Sequence, residues 1–237
     1  MKNLTLENIA RVCGGTYYGP ADKLQEEVMS VITDSRKAEE GCLFVPIVGE
    51  RVDAHKFIPQ VMEAGALATL SERVLDNADF PYIAVESSLQ AVKDIAEFYL
   101  KQLQIPVVGI TGSVGKTSTK EVIASVLNQK YHTLKTQGNF NNELGLPLTV
   151  FRLRDEDEIA VLEMVPKTKF QEFIFTFITS GCMIFIMGVY NVARTLGCYL
   201  QTRTAFFPIG MVHRASLCIL HCQQNVQILR IPRGKIN

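Results

Sequence analysis

Thr111-Gly112-Ser113-Val114-Gly115-Lys116-Thr117 joins an apolar run, Ile105 to Ile110, to a helix-compatible stretch, Ser118 to Leu127. A buried strand that passes through a glycine-rich turn directly into a helix is half of a βαβ unit, so this junction sets the expectation of an α/β fold with a parallel sheet. The turn is also a cradle for phosphate. Glycines let successive backbone N–H groups converge on one anion, the helix start adds its positive end, and Lys116 adds a mobile charge. Thr117 can then offer its hydroxyl to Mg²⁺. The general pattern G-x-x-x-x-G-K-[ST] is met incompletely, because its first glycine falls on Ile110 and Gly109 is one residue early.

Downstream the apolar-strand pattern repeats at His132 to Lys135 and Ile159 to Glu163, with a helical segment between them. Ligands of parallel sheets sit at the carboxyl ends of strands. The run Ile159-Ala160-Val161-Leu162 ends on Glu163, the position from which a buried strand delivers one carboxylate to a metal. The expected metal pair is therefore Thr117 and Glu163, with Lys116 and Glu163 as the catalytic candidates. Read alone, Asn139, Asn141 and Asn142 are turn formers.

Upstream of Pro106 lies a separate set of elements. Leu6, Ile9, Ala10 and Cys13 recur at helical spacing after Thr5, a candidate N-cap, and Gly14-Gly15 end the pattern. Strands are expected over Val28 to Thr33, Cys42 to Ile47, Ala66 to Leu70 and Tyr82 to Val85, and helices over Phe57 to Ala64 and Leu89 to Leu103. Leu89, Val92, Ile95, Ala96, Tyr99 and Leu103 share one helical face, behind Ser87-Ser88 as caps.

The formal net charge of zero conceals two halves. From residue 165 on, eight lysines and arginines face the single acid Glu172, whereas residues 1–164 carry 16 basic and 23 acidic groups. Four of the six cysteines, Cys182, Cys198, Cys218 and Cys222, also lie in the basic part. Their spacing is no disulfide framework, and Met1 to Gly15 has no apolar core of a secretory signal, so a cytoplasmic location is expected.

The shortened loop resembles the T-G-x-x-G-K-T form of the Mur ligases, ATP-dependent enzymes that build the peptidoglycan stem peptide. Lys135-Thr136-Gln137-Gly138-Asn139-Phe140-Asn141-Asn142-Glu143-Leu144-Gly145-Leu146-Pro147-Leu148-Thr149 is similar to that family's T-x-G-N-x-N-N-x-x-G-x-P-L stretch. Ile32-Thr33-Asp34-Ser35-Arg36, Gly41 to Pro46, and Phe57-Ile58 with Gly65-Ala66 resemble its uridine-nucleotide domain. Where the family has Asp-Gly-His, the chain reads Asp53-Ala54-His55.

The resemblance implies ATP on Gly112, Ser113, Val114, Gly115, Lys116, Thr117, Ser118, Asn139 and Asn142, and the uridine nucleotide on Asp34, Ser35 and Arg36. It further implies Mg²⁺ as cofactor. Within the family, the Gly138 to Asn142 run points to the branch that joins D-alanyl-D-alanine to UDP-N-acetylmuramoyl-tripeptide through an acyl phosphate. A related ligase adding the third stem residue stands as an alternative. Residues 1–103 are then the uridine-nucleotide domain and 104–164 the first half of a P-loop, parallel-sheet, ATP-binding domain. A monomer that binds no nucleic acid is expected.

The resemblance covers residues 1–164 continuously and is expected to stop there. Family members continue with a metal-binding histidine, a carbamylated lysine and a third domain, so this polypeptide alone is expected to bind nucleotide weakly and to ligate negligibly. Residues 165–237 read as an unrelated tail, of the sort a gene fusion or an out-of-frame translation produces. Within it Phe173 to Ala193 has 21 residues without a charge, long enough for a membrane-spanning helix. Pro166 to Val192 resembles the opening of a small bacterial membrane-protein family. This motivates a second function, a membrane-tethered nucleotide or UDP-sugar binding module without catalysis. His213, Cys218, His221 and Cys222 are in the order C-x-x-H-C, which matches no paired zinc knuckle.

Overall fold

The computed structural model describes residues 1–50, 52–111, 115–138, 140–164 and the strand 183–187. Two compact units emerge, Met1–Gln104 with Glu143–Arg154, and Ile105–Asn142 with the described residues from Asp155 on.

In the first unit, helix α1 (Leu6–Val12) starts as expected, with the Thr5 side chain accepting from Asn8 N–H at 3.2 Å. Strands β1 (Thr16–Tyr18), β2 (Ser30–Ile32), β3 (Cys42–Phe44), β4 (Ala68–Ser71) and β5 (Tyr82–Ala84) form one sheet in the order β1-β5-β4-β3-β2. Only β1 runs antiparallel. Leu43, Phe44, Leu70 and Ile83 are fully buried, as central strands covered on both faces require. Helix α2 (Ile58–Glu63) buries Ile58 and Val61 against Ile32, Cys42 and Phe44.

Helix α3 (Ser88–Leu103) is capped by Ser87, which accepts from Gln90 N–H at 3.3 Å. It buries Ala91, Val92, Ile95, Ala96, Tyr99 and Leu100; four of these are on the expected stripe, whereas Leu89 and Leu103 are only half-buried and Ala91 and Leu100 take their place. A later segment closes this unit. Helix α5 (Gly145–Val150) packs on α3; Tyr99 donates its hydroxyl to the Leu153 carbonyl at 2.7 Å, and Lys93 pairs with Glu143 at 2.6 Å.

The second unit is an all-parallel sheet, β7-β8-β6-β9, made of β6 (Val107–Thr111), β7 (Thr133–Lys135), β8 (Ile159–Glu163) and β9 (Met183–Met187). Helix α4 (Lys116–Leu127) leaves the turn after β6 and packs Ala124 on Val108, Ile110 and Val161.

Strand β9 corrects one expectation. Residues 183–187 fall inside the stretch 173–193 that we read as a helix, yet they extend along β6 from Val107↔Met183 to Thr111↔Met187. A continuous apolar run fits a strand of a parallel sheet as well as a helix, and periodicity cannot separate the two. Among the described residues no helix is long and apolar enough to cross a membrane. The rest of 165–237, with His213, Cys218, His221 and Cys222, lies outside the described residues.

Candidate functional site

The sheet of the second unit brings the ends of β6 and β8 side by side, with Ile110 registered on Glu163. After Thr111 the chain reaches Gly115 at φ +79°, a left-handed conformation that glycine adopts without strain, and enters α4 there. Lys116, Thr117 and Ser118 form the first turn of α4, with Thr117 and Ser118 exposed. Gly112, Ser113 and Val114 lie outside the described residues, as does Asn139.

Glu163 is the centre of the arrangement. It is 2% exposed although it carries a carboxylate. Burial of a charge is costly unless the group is paired and hydrogen-bonded, and both carboxylate oxygens and the backbone N–H of this residue are engaged. Thr117 Oγ1 donates toward Oε2 at 3.2 Å and Oε1 at 3.4 Å, and Asn141 Nδ2 donates to Oε1 at 2.9 Å. Lys120 Nζ lies 3.4 Å from Oε2. The Glu163 backbone N–H donates to Thr136 Oγ1 at 3.0 Å, and the buried Thr136 N–H donates to the Val161 carbonyl.

This donor set fits a small hard cation. Mg²⁺ prefers oxygen ligands at 2.0–2.1 Å in an octahedron, so adjacent ligand oxygens sit about 3 Å apart. The Thr117 hydroxyl and Glu163 Oε2 are 3.2 Å apart. Among the described residues no group of three or more His, Cys, Asp or Glu could hold a metal. A pair of oxygens completed by phosphates and water is the usual arrangement for Mg²⁺.

Sequence reasoning brought Thr117 and Glu163 to this place but passed over Lys120, 1% exposed, and the partner that Asn141 finds. The signal for Lys120 was present. It stands four residues before Ala124 and seven before Leu127, on the stripe that α4 turns to the sheet. Asn142 is exposed, and it is Asn141 that reaches the carboxylate.

The Asp34 to Arg36 segment belongs to the first unit. Asp34 caps a short 3₁₀ turn over Ser35–Lys37, accepting from Arg36 N–H at 3.1 Å and from the guanidinium at 2.9 and 2.7 Å. That guanidinium holds the Asp34 carboxyl down at about 2. A second network surrounds Asp53. It accepts the His55 N–H at 2.9 Å, lies 2.6 Å from His55 Nδ1, and pairs with Arg73. His55 Nε2 accepts from Glu72 N–H at 3.0 Å, so the imidazole proton sits on Nδ1. The His55 backbone N–H is the main reason the Asp53 carboxyl also falls to about 2.

The Mur ligase middle domain family matches residues 110–178, a span that begins at the last residues of β6 and continues past Met164, so the resemblance does not stop at 164 as we expected. Over 162 residues the chain is 45% identical to the UDP-N-acetylmuramoyl-tripeptide--D-alanyl-D-alanine ligase of Bacillus subtilis, covering 68% of this chain and 35% of the relative. The Escherichia coli ligase of the same name is 41% identical over 164 residues, covering 69% and 35%. Among solved structures, MurF from Acinetobacter baumannii superposes with a TM-score of 0.63 at 35% identity, over 70% of this chain and 36% of that one. MurF from Thermotoga maritima in complex with ADP gives 0.56 at 36% identity, over 62% and 34%.

The chain carries a MurF-like segment.

This MurF-like segment spans about a third of the length of the curated relatives it matches. It contains β6, the turn, α4 and β8, the elements that carry Lys116, Thr117 and Glu163.

Proposed function

We propose that the MurF-like segment supplies the ATP site and the uridine-nucleotide site of a ligase of peptidoglycan precursor synthesis, one that joins D-alanyl-D-alanine to UDP-N-acetylmuramoyl-tripeptide. The observation that carries this reading is the Thr117–Glu163 pair at the mouth of the turn that Lys116 opens. It lies in a chain similar to relatives named for that ligation.

Each group has a role in the reaction. The backbone of Gly112 to Gly115, the first turn through Ser118, and Lys116 hold the phosphates of ATP, with Asn139 and Asn142 adding contacts to the nucleotide. Thr117 and Glu163 hold Mg²⁺, which when bound neutralises phosphate charge and aligns the terminal group for transfer. The tripeptide carboxylate takes the γ-phosphoryl group and ADP leaves. The amine of D-alanyl-D-alanine then attacks the acyl carbon, phosphate departs, and an amide remains. Lys116 and Glu163 are the catalytic residues in this scheme, because each touches the reacting phosphates or their metal.

In the first unit, Asp34, Ser35 and Arg36 recognise the uridine nucleotide, with the Arg36 fork suited to a phosphate. Residues 1–103 and 104–164 are the corresponding domains of the scheme. We place the protein in the cytoplasm as a monomer that binds no nucleic acid.

Calorimetry of the full chain with ATP and magnesium tests the core of this proposal. Lys116→Ala removes a charged hydrogen-bond partner of phosphate, an interaction of about 1.5–3 kcal/mol, so ATP affinity is expected to fall roughly 10- to 100-fold. Unaltered ATP binding would refute the assignment.

A further inference from the structure

The position of Lys120 calls for a reason. Its side chain is 1% exposed, and an aliphatic residue would fill the same space without the desolvation that an ammonium suffers. Among the described residues the ammonium has only long contacts. It lies 3.4 Å from Glu163 Oε2 and 3.6 Å from Glu121 Oε1, both longer than the 2.7–2.9 Å of a strong charge-assisted bond. Glu121 is itself engaged by Lys135, which leaves Glu163 as the buried charge that Lys120 balances.

The two oxygens of Glu163 are addressed from different elements. Asn141, in the loop after β7, donates to Oε1 at 2.9 Å, and Lys120, on α4, faces Oε2 at 3.4 Å. Rotation of the carboxylate would break the first contact and move Oε2 off the second. With the plane so fixed, both oxygens present themselves to the Thr117 hydroxyl at 3.2 and 3.4 Å.

We propose that Lys120 is a positioning residue for metal-nucleotide binding: a buried ammonium that balances Glu163 and holds its Oε2 toward α4, so that Thr117 and Glu163 can share one cation. This rests on the reading of Thr117 and Glu163 as the Mg²⁺ pair. The long contact matters, since an ammonium at 3.4 Å leaves an Oε2 lone pair available to a cation, where a short bond would occupy it.

The test compares ATP binding by the full chain in magnesium and in EDTA. Groups that orient a metal ligand are worth about 10- to 100-fold in metal affinity. Lys120→Met is therefore expected to lose at least tenfold of the gain that magnesium gives, while ATP affinity in EDTA stays within about twofold of wild type. A lysine that merely packs would weaken both affinities alike or neither, and that result overturns the proposal. Wild-type chain that binds ATP no better with magnesium than without would instead sink the nucleotide reading, and this role with it.

Thermal melting supplies a readout free of ligand. Glu163→Gln and Lys120→Met should each lower the melting temperature, and the double variant should melt above the less stable single one because neither charge is then stranded. A double variant no more stable than its weaker parent overturns the pairing. Should Lys120→Met alone fail to fold, a folded double variant supports the proposal and an unfolded one overturns it.

Discussion

Two carboxylates of this chain, Asp34 in the first unit and Glu163 in the second, both have a basic partner, yet they are built differently. Asp34 is bound by Arg36 two positions away, on the same turn, and that arginine side chain is 87% exposed. Glu163 is bound from α4 and from the loop after β7, with side-chain exposures of 1% for Lys120 and 3% for Glu163. The first pair assembles wherever its turn forms. The second exists only when the sheet and helix are in place, so it reports on the fold as well as on the chemistry.

The contrast is sharpest when one partner is removed. Glu163→Ala strands the Lys120 ammonium inside the protein, and loss of a buried partner costs about 3–5 kcal/mol. Urea unfolding should show a loss of that size. A change below about 1 kcal/mol would place Glu163 in the same class as Asp34 and erase the distinction.

An uncharged long-range contact should fall between the extremes. Tyr99→Phe deletes the hydroxyl that reaches the Leu153 carbonyl at 2.7 Å in a buried setting. The expected cost is about 1 kcal/mol in the same measurement, and no cost at all would mean that this hydroxyl adds nothing to the docking of α5 on α3.

The smallest effect on stability belongs to the exposed pair. Arg36→Ala should leave the melting temperature unchanged within error while moving the Asp34 titration, followed by carboxyl carbon NMR, from about 2 back toward the ordinary range near 3.9. Asp53, lowered to about 2 chiefly by the His55 backbone N–H, should stay where it is. The Asp53 value lies below the unfolded one, so the stabilisation from its network is present above about pH 4 and is lost as the pH falls toward 2, whereas the local Asp34 turn adds little at any pH. A melting shift on removing Arg36 would blur the comparison from the other side.

The same division explains what could be read in the sequence. Thr5 and Ser87 announced their helices because a cap bonds within three residues of itself. The βα junction and Glu163 were legible because an apolar run that ends in a polar residue marks the tip of a strand. Lys120 was not, since an ordinary lysine in a helix is solvated and only the stripe it shares with Ala124 betrays it. Strand β1, three residues with little burial, offers no period to detect. Strand β9 offers an apolar run that helix and strand share. The docking of α5 on α3 joins residues 54 positions apart, as Tyr99 and Leu153 are, and no local pattern encodes it.

That docking also imposes an order on synthesis. As the polypeptide leaves the ribosome, Tyr99 emerges long before Leu153, and all of β6, α4 and β7 must follow before its hydroxyl acceptor arrives. The amino-terminal sheet can form early, but the back of α3 stays uncovered until residues 143–154 are out. A ribosome stalled shortly after β7 would therefore display α3 with an uncovered apolar face, a target for the chaperones that bind such surfaces on nascent chains.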